Sequence, residues 1–134
     1  SILGMLARGL IQLGRGAEAE TYLLRFPDAQ QNPQTLWQLG HSRQQQADAG
    51  GAIAYWQAAT RLDQDYLPAL RDIADLELAR DRPDAALEPL ERVLKLAPQD
   101  ATIHYRLGLA LRRIGREEDA AQHFREAERL IENQ

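Results

Sequence analysis

The chain of 134 residues has no cysteine, two serines (Ser1 and Ser42), three histidines and one lysine, Lys95. Without cysteine there is no disulfide, no thiolate nucleophile and no thiolate zinc site. Hydroxyl and imidazole catalysis has little to work with, so no catalytic residue, metal or cofactor is expected. No stretch approaches the roughly eighteen uncharged apolar residues that a membrane span needs, and membrane insertion is not expected. The opening run from Ser1 to Arg8 is apolar but has neither a basic leader region nor a cleavage pattern, so it does not read as a signal peptide. The absence of an initiating Met points to a piece cut from a longer protein. Positive charge is in deficit as well: Lys and Arg number 16 against 20 Asp and Glu, a net charge of −4, which argues against a nucleic-acid partner.

What is present is an apolar fraction of 44%, enough to build a core, with Ala and Leu making up nearly a third of the chain. These residues repeat. Leu39-Gly40 recurs as Ile73-Ala74 and Leu107-Gly108 at steps of 34 residues, and Ala52, Ala86 and Ala120 keep the same step. So do Trp56, Leu90 and Phe124, then Ala59, Val93 and Ala127, then Leu62, Leu96 and Leu130. An earlier copy, with a loop shorter by one residue, comprises Leu3, Leu6-Ala7, Leu10, Gly14, Ala19, Leu23 and Phe26. Four units tile the chain at about 1–32, 33–66, 67–100 and 101–134.

Within each unit the apolar residues keep helical spacing over two successive segments. Asn32-Pro33 and Asp100-Ala101 read as helix starts, while Gly14, the stretch from Asp48 to Gly51, Asp81-Arg82-Pro83 and Gly115 read as breaks. Pro27 should end the second helix of the first unit about a turn early. Each unit is then a helix hairpin, called here helix A and helix B. Gly40 and Gly108 lie mid-helix, where glycine costs about 0.5–1 kcal/mol relative to alanine; close approach of two helix backbones is the expected compensation. A hairpin cannot cover both of its faces, so the units should stack into a right-handed array. Arg43 and Glu77, at equivalent slots of neighbouring units, are expected to pair.

The pattern resembles the tetratricopeptide repeat. His104-Tyr105-Arg106-Leu107-Gly108, Gly115-Arg116, Ala120, Phe124, Ala127 and the terminal Pro98 carry the likeness best, and it covers essentially the whole chain. It implies an all-α, right-handed superhelical solenoid of four helix-turn-helix repeats and eight antiparallel helices, forming a single domain over 1–134. It also implies that the A helices line a concave groove that receives a peptide or helix of a partner protein. By that analogy the inward residues include Trp37, Gln38, His41, Arg71, Asp75, Tyr105, Arg106 and Arg112. Aromatic and Arg side chains dominate interface energetics, and the arginines could hold a carboxylate or a phosphorylated side chain. No inward position carries Lys or Asn, so the carboxylate clamp of the chaperone-binding subgroup is not expected.

Two rivals remain. Ile2, Met5 and Ile11 leave the first helix more apolar than its own hairpin can cover, so an upstream segment or a second copy should bury it, with a homodimer as one outcome. A regulatory domain of a larger protein is the other. The last unit differs, with Ala121 and Glu128 where Ile53, Leu87, Thr60 and Leu94 stand earlier, so its outer face should be polar and the array should end near residue 134. His41, His104 and His123 are expected to play unrelated roles. The excess of Arg over Lys points to a bacterial source, and the compartment is open.

Overall fold

Eight α-helices follow one another in the computed structural model, which describes residues 1–134: α1 (Ile2–Gln12), α2 (Gly16–Leu23), α3 (Pro33–Gln45), α4 (Ala49–Leu62), α5 (Leu67–Ala79), α6 (Pro83–Leu96), α7 (Ala101–Ile114) and α8 (Glu117–Glu132). A 3-10 turn (Ala29–Gln31) precedes α3, and no strand forms. In pairs the helices are the four hairpins that the repeat dictates. The chain divides into two compact units, Ser1–Ala69 and Leu70–Gln134.

Local chemistry sets the helix starts. The Asn32 side chain accepts from the amides of Gln34 at 2.9 Å and Thr35 at 3.3 Å, and Asp100 Oδ1 accepts from Thr102 at 2.9 Å, as their sequence positions suggested. Ser1 Oγ caps α1 through Gly4 at 3.1 Å. Asp48 Oδ1 accepts from Gly51 at 2.9 Å, so Gly50 and Gly51 belong to the first turn of α4 rather than to the inter-helix turn expected of them. α8 opens without a side-chain cap, on Glu117, Glu118 and Asp119, whose charge suits a helix N-terminus.

One turn recurs four times. Gly14, Ala47, Asp81 and Gly115, equivalent positions of the four units, all adopt positive φ, at 78°, 62°, 58° and 96°. At each turn the next amide reaches back five residues, from Arg15 to Leu10, Asp48 to Arg43, Arg82 to Glu77 and Arg116 to Leu111, at 2.8–2.9 Å. This is the Schellman closure of a helix end, and it reverses the chain in the same way each time.

In the first unit α2 stops at Leu23, because Pro27 has no N–H to offer the Leu23 carbonyl and its ring crowds that oxygen. Phe26, expected as a core residue, is consequently 47% exposed. Leu23, Leu36, Leu39, Ala52 and Ala59 are buried in the first unit, as is Trp56, which is wholly buried and whose Nε1 donates to the Trp37 carbonyl at 3.0 Å. A Cβ at Gly40 would fall on Nε1 and Cδ1 of that indole. The glycine therefore makes room for an aromatic ring rather than for a second backbone. Backbone approach of the expected kind occurs instead at Gly16, where a Cβ would lie 2.7 Å from the Ser42 carbonyl oxygen. Arg43 Nε meets Glu20 at 2.5 Å and its NH1 meets Asp48 at 3.0 Å.

In the second unit Leu70, Ile73, Leu90, Val93, Ile103 and Leu107 are buried together with Ala74, Ala86, Ala110 and Ala120. A Cβ at Gly108 would stand 2.5 Å from Phe124 Cε1, repeating the glycine–ring fit of the first unit. Pro89 is buried within a continuous α6. Glu77 takes Arg80 at 3.2 Å and Arg82 at 4.0 Å. The pairing expected between Arg43 and Glu77 is thus replaced by partners within each residue's own unit: Arg80 and Arg82 for Glu77, and for Arg43 Asp48 close by in sequence and Glu20 on the preceding hairpin.

Candidate functional site

In the first unit the sequence-selected face belongs to α3. Trp37 is half-buried and sets its ring edge-on to His41, with centroids 4.9 Å apart; His41 in turn meets Trp56 at 5.5 Å. Gln38 is buried against α1, and its Nε2 donates to the Gly4 carbonyl at 3.0 Å. Its amide thus holds two helices together. Ile2 is 85% exposed and Met5 70% exposed, as the apolar first helix led one to expect, whereas Ile11 is half-buried.

In the second unit Arg71 and Arg106, read as open to a ligand, hold neighbouring groups, and so does Arg113. Arg71 NH1 meets Asp100 Oδ2 at 3.0 Å, Arg106 Nε meets Asp75 Oδ1 at 2.7 Å, and Arg113 NH1 donates to the Leu78 carbonyl at 3.0 Å. Each reaches from one hairpin of the unit to the next. Burial would raise the Asp100 carboxyl, but the Arg71 guanidinium and the amides of Thr102 and Ile103 outweigh it and hold the group below its ordinary value. Asp75 goes the other way: desolvation holds it above its ordinary value despite Arg106, with Asp72 adding repulsion. Arg112 lies over the Phe124 ring, 5.6 Å from its centroid.

Beside Arg112 the structure shows what the sequence reading missed. Tyr105 and Leu109 of α7 and Phe124, Ala127 and Ile131 of α8 line a depression of about 690 Å³, with Arg112 and Glu128 on its rim. Tyr105 is 51% exposed and Ile131 60% exposed, and the Tyr105 ring leans on Phe124 with centroids 5.9 Å apart. The outer face of the last unit, expected to be polar, thus also carries the exposed apolar Ile131 and the Tyr105 and Phe124 rings beside Glu128. The signal was present in Ile131, which stands where Ala97 and Asp63 stand in earlier units.

His104 and His123, expected to act separately, share a hydrogen bond: their Nδ1 atoms are 3.1 Å apart, and His104 Nε2 lies 3.1 Å from the Pro98 carbonyl. That carbonyl can only accept, so His104 Nε2 carries a proton and, with His104 neutral, its Nδ1 accepts from His123. No acceptor remains for a second charge. Desolvation first, and His104 second, lower the His123 pKa, against an opposing pull from Asp119 on α8 and Glu91 on α6. The unfolded chain then binds more protons than the folded one near and below the ordinary imidazole value of about 6.5, so stability falls as pH drops through that region. The expected result is an unfolding midpoint that declines from pH 7 to pH 5, and a decline that is shallower in His123→Gln. Equal slopes for the two proteins, followed by circular dichroism, would count against the shared proton.

Residues 71–134 match the tetratricopeptide-repeat family. No curated protein matches the chain. Among solved structures, a crystal structure of MamA is similar at a TM-score of 0.85 and 21% identity, covering 98% of this chain and 77% of that one. MamA 41-end from Desulfovibrio magneticus RS-1 is similar at 0.80 and 25% identity, over 97% of this chain and 76% of that one. MamA AMB-1 gives 0.81 at 19% identity, over 99% and 73%. The likeness is one of fold.

Proposed function

We propose, for a chain that belongs to the tetratricopeptide-repeat family, that the outward-open faces of its A helices hold a peptide or short helix of a partner protein and that no catalysis is involved. A protein-interaction scaffold is what this fold supports in general; the particular faces are the proposal. The observation that carries it is the α7–α8 depression, because its floor of Tyr105, Leu109, Phe124 and Ile131 is apolar and open, and the buried core of the unit is complete without it. A recess of this kind, rimmed by one base and one acid, suits the apolar side of a short helix. Trp37 with His41 on α3 is the counterpart in the first unit. The arginines act mainly by keeping the hairpins in place, which leaves Arg112, on the rim, as the guanidinium placed to meet a partner. In the same proposal residues 1–134 work as one domain.

The test is capture of partners by the immobilised chain and by a Trp37→Ala/Tyr105→Ala variant. Both rings stand at least partly in solvent, so the variant should keep its helicity. Loss of a central aromatic anchor weakens binding by about 2 kcal/mol, roughly thirtyfold. Partners retained equally by the two proteins would rule these faces out.

A further inference from the structure

The depression between α7 and α8 has a counterpart elsewhere in the chain, where the same positions are occupied. Counting back by the repeat, Tyr105 corresponds to Arg71 and Gly4, Leu109 to Asp75, and Arg112 to Leu78. Each of these touches the helix A that follows it. The Gly4 carbonyl accepts from Gln38 of α3, Arg71 holds Asp100 at the head of α7, Asp75 holds Arg106, and the Leu78 carbonyl takes Arg113. The residues lining the depression are therefore those that elsewhere support a further helix A, and the recess has the form of that helix's seat.

α1 is a helix A whose corresponding face is bare. Ile2 stands in the register of Ala69 and Ile103, both wholly buried, yet it is 85% exposed. Met5 stands in the register of Gln38 and Arg106, the residues that reach back to the preceding hairpin, and it is 70% exposed. We propose that the α7–α8 depression receives α1 of a second copy of this chain. This rests on the reading that the depression is a helix-binding face, and it names the helix.

Charge agrees with that direction. A helix A begins beside the end of the preceding helix B, because only four residues, 97–100, join α6 to α7. An incoming α1 seated in the same relation brings its N-terminus to the Glu128 and Ile131 end of the depression and its C-terminus to Arg112, near the hairpin turn. An acid at a helix N-terminus and a base at its C-terminus both suit the helix dipole. Ile2 and Met5 then bury against Tyr105 and Ile131. Because the two surfaces lie on different parts of the chain, the contact is head-to-tail, with α1 of one copy on the depression of the next.

Sedimentation equilibrium of the full chain from dilute to millimolar concentration tests this. The average mass is expected to rise above the monomer value of 15.1 kDa as the concentration increases. Ile2→Asp/Met5→Asp disables the helix, and Tyr105→Asp/Ile131→Asp disables the seat; all four positions are exposed, so helicity and the unfolding midpoint should not change. Each variant alone is expected to self-associate at least about thirtyfold more weakly, the scale of losing an anchor residue. Mixed in equal amounts, the two variants retain one intact helix and one intact seat, and should form a species of two copies that grows no further. A mixture that stays monomeric while the parent chain self-associates overturns this pairing of surfaces. A parent chain that is monomeric throughout, yet loses a captured partner on Tyr105→Ala, overturns the second copy as occupant while leaving the helix-binding face in place.

Discussion

Trp56→Ala is expected to cost about 4 kcal/mol of stability, the range found when a buried aromatic is truncated. The indole is wholly buried at the centre of the first unit, and its Nε1 donates to the Trp37 carbonyl at 3.0 Å. Removal loses the burial of the largest core side chain and leaves that carbonyl without the indole donor. The space cannot easily collapse, because the wall opposite the ring is Gly40, which has no side chain to move in. Urea unfolding measures the loss as a lower midpoint at unchanged slope. A cost under about 1 kcal/mol would show that Trp56 does not organise this unit.

Gly40→Ala is expected to be destabilising by about 2 kcal/mol, although alanine is the better helix former by about 1 kcal/mol. The added methyl falls on the indole, which is enclosed on all sides and cannot turn aside. The sign should reverse in the Trp56→Ala background, where the methyl enters the vacated space and helix propensity alone decides. That reversal, measured as a coupling of about 3 kcal/mol in a double-mutant cycle, distinguishes a steric fit from any other need for glycine. Gly108→Ala should cost less, since Phe124 is half-buried and can swing outward. Additive single effects at Gly40 and Trp56 would mean that the glycine serves something other than the ring.

Much of the fold is legible in the chain because its causes are local. Asn32 and Asp100 could be read as caps, since a cap needs only a short oxygen-bearing side chain two or three residues before the amides it serves. Gly14 and Gly115 could be read as turns, since positive φ favours glycine. Ala47 hid the same turn, so the break was assigned to Gly50 and Gly51, which lie inside α4. Of the candidate site, Tyr105 and Arg112 were named from their places in the repeat, and both border the depression. Phe124 was read as core alone and Ile131 was overlooked, because whether a side chain faces a neighbour or an opening depends on how two helices tilt. The same holds for Arg71, Arg106 and Arg113: guanidinium groups look available in a sequence until the acid or carbonyl on the adjoining hairpin is in place.

By itself the sequence determined the number of helices, their order and most of their ends, because apolar period and capping act within a few residues. Only the tertiary structure decided which ring lies on which glycine, that His104 and His123 share a hydrogen bond, and that a depression lined largely by apolar residues stands open beside α8. Those outcomes depend on distances between residues about twenty positions apart in sequence, set by packing angles that no local pattern encodes.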